Sequence, residues 1–226
     1  MANKIKLLEL FAGSRSVGKV AEELGYDVFS VDINNFNNID YVIDILNFDY
    51  DEVPFIPDII WASPPCTYFS VASIGHHWNK NHTPKTKEAV LGCEIVLKTI
   101  SIIKHYKPKY FYIENPRGKL RKLNFMKEFD RTTVWYCRYG DRAAKPTDIW
   151  SNHIYSLFNS NGWQPRQECF NGNKKCHHET APRGSTIKKL KEKGIIVKKG
   201  GTQAKKDNYE RSKIPYELCK EILLSI

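Results

Sequence analysis

The opening stretch of the chain constrains its fold more than any other part. Lys4 to Phe11 reads as a buried strand, Ala12-Gly13-Ser14 as a tight turn, Val17 to Leu24 as a helix closed by Gly25, and Asp27 to Ile33 as a second strand. A short path from strand through helix to a strand lying parallel beside the first demands a right-handed crossover, so this is the opening unit of a parallel sheet. Tyr41–Ile45, Asp58–Ala62, Tyr110–Ile113 and Thr133–Cys137 continue the series of short apolar strands, and Lys87 to Tyr106 reads as a long helix among them. The alternation predicts the α/β class: a doubly wound, mostly parallel sheet.

A chain of 226 residues accommodates one such domain with one active site. The pattern divides it into a catalytic domain over 1–157, a small recognition region over 158–213 and a closing helix over 214–226. In the middle region Gly, Asn, Lys, Cys and His displace the apolar periodicity, while apolar residues at 214, 218, 222, 223 and 226 give the last segment one face to pack back on the sheet. Residues 71–87, with Gly75, His76, His77, Trp78 and Pro84, read as a long loop, and long loops in compact domains are commonly lids or binding loops.

Charge is divided unevenly. Residues 1–62 hold 4 Lys/Arg against 11 Asp/Glu, net −7, and residues 63–226 hold 31 against 14, net +17. The second part is suited to a polyanion, the first to a ligand that is cationic or rich in hydroxyls. No apolar run is long enough to cross a bilayer and the first residues carry no signal-peptide pattern, so the expectation is a cytoplasmic protein with no membrane partner. The six cysteines lack the spacing of a disulfide framework, which leaves each thiol to be argued from its own surroundings.

Ligands of open parallel sheets sit beyond the carboxyl ends of the strands. Gly13 and the amides of the helix that follows suit a carboxylate or phosphate there. Asp32, 19 residues after Gly13 at the end of the second strand, is placed to accept hydrogen bonds from both hydroxyls of a ribose, and Asp44 to bind an exocyclic amino group. Taken singly, these are also what ordinary strand-end and helix-cap carboxylates look like. Ser63-Pro64-Pro65-Cys66-Thr67 ends the fourth strand, with two prolines fixing the backbone ahead of the sulfur; Glu114 leaves the next strand toward the same edge. A thiol and a partly desolvated carboxyl are the nucleophile and the proton donor that addition to a pyrimidine ring requires. Cys169, Cys176, His177 and His178 form a possible four-ligand zinc set, without the usual paired cysteine spacing.

Phe11-Ala12-Gly13, Pro65-Cys66 and Glu114-Asn115, in this order and at this spacing, resemble the cofactor turn, nucleophile loop and glutamate motif of the DNA cytosine-5 methyltransferases, most closely the small phage-type members. The resemblance spans roughly residues 5–155 and resumes at the closing helix. It implies the fold of S-adenosylmethionine-dependent methyltransferases, with S-adenosylmethionine as cofactor and double-stranded DNA with a flipped-out cytosine as substrate. It further implies that Cys66 attacks carbon 6 and Glu114 engages ring nitrogen 3. Phe11, Ala12, Gly13, Ser14, Asp32, Ile33, Asp44, Ile45, Ser63, Pro65 and Ser212 would then hold the cofactor. Ser70, Trp78, Arg138, Arg142, Arg183 and Gln203 are the candidates for nucleic acid, and Lys145, Arg142 or Arg138 for the pyrimidine oxygen. The chain departs from the family pattern at Arg15 in place of a glycine, Thr67 in place of a glutamine and Pro116 in place of a valine. It departs again at Ala143, Lys145 and Thr147 in place of a glutamine and two arginines. Two other readings stand beside this one: the same chemistry on RNA, and a catalytically silent nucleic-acid-binding protein on the same fold.

Overall fold

The computed structural model describes residues 4–71, 73–156, 159–179, 191–196 and 208–226. Seven strands, β1 (Lys6–Leu10), β2 (Asp27–Asp32), β3 (Tyr41–Val42), β4 (Ile59–Ala62), β5 (Tyr110–Pro116), β6 (Arg131–Trp135) and β7 (Pro146–Ser151), form one sheet in the order β3-β2-β1-β4-β5-β7-β6. The first five run parallel, whereas β7 enters antiparallel between β5 and β6. The helices are α1 (Ser16–Glu23), α2 (Ile74–His77), α3 (Lys87–Tyr106), α4 (Asn208–Ser212) and α5 (Tyr216–Leu224). None is long and apolar enough to cross a membrane.

The central strands are apolar on both faces because both faces are covered. Leu8, Leu10, Ile60, Ala62 and Ile113 pack with Val96, Ile100 and Ile103 of α3. Their neighbours Leu7, Ile59, Trp61 and Tyr112 pack with Val17, Val20 and Ala21 of α1 and with Leu218, Cys219, Ile222 and Leu223 of α5. The closing helix therefore does return to the sheet, and Tyr26 Oη donates to Leu223 O at 2.8 Å across that junction. Helix α3 keeps the predicted bounds, with the Thr86 hydroxyl accepting from Ala89 N as its cap.

Two features differ from the sequence expectation. The strand β7 was not predicted, because it starts at a proline and carries Asp148, a poor strand former that is wholly buried here. Its carboxylate is bound bidentately by one edge of the Arg121 guanidinium, Nε to Oδ2 and Nη2 to Oδ1, and also by Arg131 and by the Thr133 hydroxyl, so the buried charge is paired from the neighbouring strand and turn. The segment read as a long loop also carries local structure over residues 73–87. They contain α2 and a tight turn over Asn79–Thr83 closed by a bridge between Trp78 and Pro84. Trp78 is only 5% exposed, lies against Phe69, and donates its ring N–H to Tyr68 O at 2.7 Å. It is a core side chain here and is not presented for stacking on a base, because its ring fills space beneath the loop that follows Cys66.

The direction of strand order reverses between β1 and β4, which opens a crevice at their carboxyl ends. The turn after β1 and the loop after β4 meet there.

Candidate active site

From Phe11 to Arg15 the backbone alternates in handedness, with φ of 58° at Phe11, 49° at Gly13 and 53° at Arg15. The alternation makes a tight turn ahead of α1 whose amides are tied inside the protein, Ala12 N to Val31 O at 3.0 Å and Arg15 N to Ala12 O at 2.7 Å. Asp32 at the end of β2 closes the turn from the adjacent strand: its Oδ2 accepts from Gly13 N at 2.9 Å and its Oδ1 from Asn34 N at 2.9 Å. Arg15 adopts the left-handed geometry that suits a glycine, and its buried side chain turns away to Ser30 and Glu22. The crevice stays open despite the bulk of the residue.

On the β4 side, Phe69 N and Ser70 N both donate to Cys66 O, folding the nucleophile loop into a compact turn. Lys119 N anchors the loop by donating to Phe69 O at 2.7 Å; a Cβ on the preceding Gly118 would sit 2.2 Å from that same oxygen, so only glycine permits the approach. Asn115 Nδ2 donates to Pro64 O at 2.8 Å, which ties the end of β5 to the two prolines ahead of Cys66.

These segments enclose a cavity of about 590 Å³. Its lining includes Phe11, Ala12, Gly13, Ser14, Ser63, Pro65, Cys66, Ser70, Glu114, Lys145 and Ser212, all singled out in the sequence. A second cavity of about 420 Å³ shares Gly13 and Ser14 and continues past Asn35, Phe36 and Tyr209. Two compartments joined at one backbone turn suit an elongated ligand with an amino-acid end and a nucleoside end, as S-adenosylmethionine is.

Glu114 is 5% exposed and its Oε1 accepts from Tyr136 Oη at 2.7 Å. Burial pushes its carboxyl above the usual range, opposed by the Lys145 ammonium and by hydrogen bonds from Tyr136 and Ser63. The Cys66 thiol is pushed up as well, first by burial and then by the Glu114 charge, while Lys145 lowers it. Lys145 lies over the Tyr136 ring at 4.5 Å and donates to Arg211 O at 2.9 Å, which binds the site to the segment before the closing helix. One cavity thus faces a thiol, a carboxyl disposed to hold its proton, and a cation.

Other expected residues lie elsewhere. Asp32 stands beside the Gly13 turn without lining either cavity; the Asp44 side chain caps a 3-10 turn at Leu46 N and Ile45 is buried in the core, and neither lines the cavities; Ile33 is 62% exposed. Arg142 pairs with Glu179, and Arg138 donates to Glu168 O, so of the three candidate cations Lys145 alone lines the cavity. Arg183 and Gln203 lie outside the described residues. His177 is exposed and faces Asp141 O, not a metal-type cluster. Tyr136 and Glu9, which also border the site, carry no spacing signal in the sequence: one is a tyrosine just past the end of a strand, the other a glutamate inside an apolar run.

Comparison with known proteins shows the family and the fold. The family model of the C-5 cytosine-specific DNA methylase matches residues 6–133. A protein of Frog virus 3 (isolate Goorha) named "Probable DNA (cytosine-5)-methyltransferase" is 33% identical over 156 residues, covering 66% of this chain and 71% of its own. The solved structure of the Entamoeba histolytica methyltransferase EhMeth shares the fold over 99% of this chain and 98% of its own, at 11% identity and a TM-score of 0.55. A candidate DNA modification methyltransferase encoded within an E. coli prophage shares it at 14% identity and a TM-score of 0.50, over 74% of this chain and 53% of that one. With more than half of its residues matched by the family model, and with the thiol, the carboxyl and the glycine turn on one cavity, the chain belongs to the C-5 cytosine-specific DNA methylase family of S-adenosylmethionine-dependent enzymes.

Proposed function

We propose that this chain methylates carbon 5 of cytosine in DNA through a covalent adduct on Cys66. The observation that carries the reading is the placement of Cys66 and Glu114, from the ends of adjacent strands β4 and β5, on one cavity with the Gly13 turn. When bound, S-adenosylmethionine would supply the methyl group; the Phe11–Ser14 turn, Ser63, Pro65 and Ser212 would hold it, and Asp32 would accept from its ribose hydroxyls.

The thiolate of Cys66 adds to carbon 6 and breaks the 5,6 double bond, while Glu114 passes its proton to ring nitrogen 3. The electron pair released at carbon 5 would be taken up by the methyl group that bound S-adenosylmethionine supplies, the sulfur–methyl bond breaking to leave S-adenosylhomocysteine. Removal of the carbon 5 proton by a solvent base restores the double bond, expels the Cys66 thiolate and returns the ring proton to Glu114. Burial favours the protonated Glu114 this sequence needs; it also holds the Cys66 thiol above its ordinary range, opposed in part by the Lys145 charge, so the thiol must give its proton to solvent before it attacks. Lys145 is also the cation nearest to hand for the pyrimidine oxygen. A base inside a stacked duplex cannot reach such a cavity, so the cytosine must be extruded, and the net +17 of residues 63–226 supports a polyanionic substrate.

DNA carrying 5-fluorocytosine at the target tests this directly, because fluorine at carbon 5 leaves no proton to remove. The expected result is a denaturant-resistant complex that forms only with cofactor and is abolished by Cys66→Ala. Methyl transfer retained by the alanine variant overturns the mechanism, and activity confined to RNA overturns the substrate.

A further inference from the structure

Away from the cavity, three thiols and an imidazole converge. Cys137 comes from the 3-10 turn Tyr136–Tyr139 after β6, and Cys169, Cys176 and His178 from the segment that crosses it. One ligand atom from each lies within 4.8 Å of the others, three of the four residues are buried, and none of the cysteines is in a disulfide. Tetrahedral zinc with bonds of about 2.3 Å to sulfur and about 2.1 Å to nitrogen has ligand–ligand edges of roughly 3.6–3.8 Å. Cys169 Sγ and His178 Nδ1 are already 3.8 Å apart, so the remaining contraction is at most about 1 Å.

A plain apolar cluster of small side chains does not account for the polar atoms around it. Among the described residues, four buried side-chain N or O atoms have no hydrogen-bond partner, and three of them, Trp135 Nε1, Arg138 Nε and His178 Nε2, belong to this neighbourhood. Trp135 packs in the same cluster as Cys137 and Cys169, and Arg138 is close enough to His178 to act on it electrostatically. All three are N–H donors or an imidazole nitrogen wanting a partner, and buried polar groups are ordinarily satisfied. Three thiolates on a divalent ion carry a net charge of −1, which makes their sulfurs strong acceptors and gives Arg138 a counter-charge. Asn173 Nδ2 already points at Cys169 Sγ at 3.5 Å, from a turn in which Cys176 N donates to Asn173 O.

We propose that Cys137, Cys169, Cys176 and His178 bind one structural zinc ion. Soft thiolate ligands, tetrahedral convergence and a closed ligand set select zinc over magnesium or calcium. On binding, the three thiols release their protons to solvent and no oxidation occurs. The ion fastens residues 169–178 to the turn whose first residue, Tyr136, holds Glu114, and so couples the segment beyond the sheet to the catalytic floor. This ligand set replaces the one read from the sequence: His177 is exposed and turned to Asp141 O, and Cys137 takes its place.

The test is metal analysis of the full chain purified under reducing conditions, by elemental mass spectrometry and native mass measurement. One zinc per chain is expected, lost in Cys176→Ser and His178→Ala and retained in His177→Ala. Cobalt exchanged into the wild-type chain should give thiolate charge-transfer absorption and the intense visible bands of a tetrahedral centre, a readout that needs no variant to fold. A wild-type chain with six reactive thiols, no bound metal and no cobalt spectrum overturns the proposal, as does a disulfide within the cluster or loss of zinc from His177→Ala alone.

Discussion

Glu9 sits in the middle of β1, 3% exposed, directly under the turn that begins at Phe11. Its Oε1 accepts from Val17 N at 3.1 Å and its Oε2 from the Ser30 hydroxyl at 3.2 Å, yet burial outweighs these bonds and the Arg15 charge and carries its carboxyl from 4.5 to about 7. A folded-state value above the unfolded one means that the native chain binds the proton more tightly, by about 3.4 kcal/mol for this difference. The stabilisation is complete below about 4.5 and is lost as pH rises through about 7. Between about pH 5 and about pH 8 the unfolding free energy should therefore fall by roughly 2.5 kcal/mol on account of this one group. Glu9→Gln keeps the shape and the acceptor for Val17 but cannot ionise. Denaturant unfolding of both proteins at the two pH values should show the variant gaining roughly 2.5 kcal/mol on the wild type at the higher pH, or roughly 5–10 °C in Tm. An identical difference at both pH values would mean that Glu9 is charged throughout, and the argument from burial would fail.

Trp78→Ala should lower Tm by roughly 6–20 °C, the effect of about 3–5 kcal/mol lost from a core, in a thermal melt without DNA; unchanged stability with lost DNA binding would return Trp78 to the interface. Lys145→Met removes the charge that lowers the Cys66 thiol, so the midpoint of its alkylation by iodoacetamide should move to higher pH, and a stationary midpoint would take Lys145 out of the thiol's field. Asp32→Ala should weaken S-adenosylmethionine binding by about 10- to 150-fold in calorimetry while leaving DNA binding nearly unchanged, and full affinity would remove Asp32 from the ribose.

What the sequence revealed follows the range of the forces involved. The β1 to β2 unit and α3 were legible because each states its structure locally, through a glycine turn, an unbroken apolar run, or a capping threonine ahead of a long periodic helix. The strand β7 was illegible because Asp148 is tolerated only through Arg121, Arg131 and Thr133, which lie outside the strand itself. Cys66 and Glu114 could be read as a pair because successive parallel strands deliver their ends to one edge. Cys137 could not be joined to Cys169, since only folding brings residues so far apart in the chain into one cluster. Trp78 misled for a similar reason: an aromatic in a polar stretch reads as exposed until Phe69 and the Tyr68 carbonyl are seen beneath it.

The departures from the family pattern show how the site tolerates changes of residue type when the backbone is kept. A non-glycine residue in left-handed geometry costs about 1–2 kcal/mol, and Arg15 accepts it at 53°. Its buried guanidinium offsets that cost by binding Ser30 and pairing with Glu22, and the Arg15 charge is one of the influences holding Glu9 down against burial. The side chain that stands where the family has a glycine is therefore stored behind the turn, in the same network that surrounds Glu9, and the cavity side of the turn is left open. Lys145 shows the same economy from the other side. Standing where the family has an arginine, at a φ of 26°, it reaches the cavity, the Tyr136 ring and the Arg211 carbonyl from one position. Three elements that meet only through folding, β5, the Tyr136 turn and the segment before α5, thus converge beside Glu114 and Cys66, and it is this convergence on one cavity, more than any single motif, on which the proposed chemistry rests.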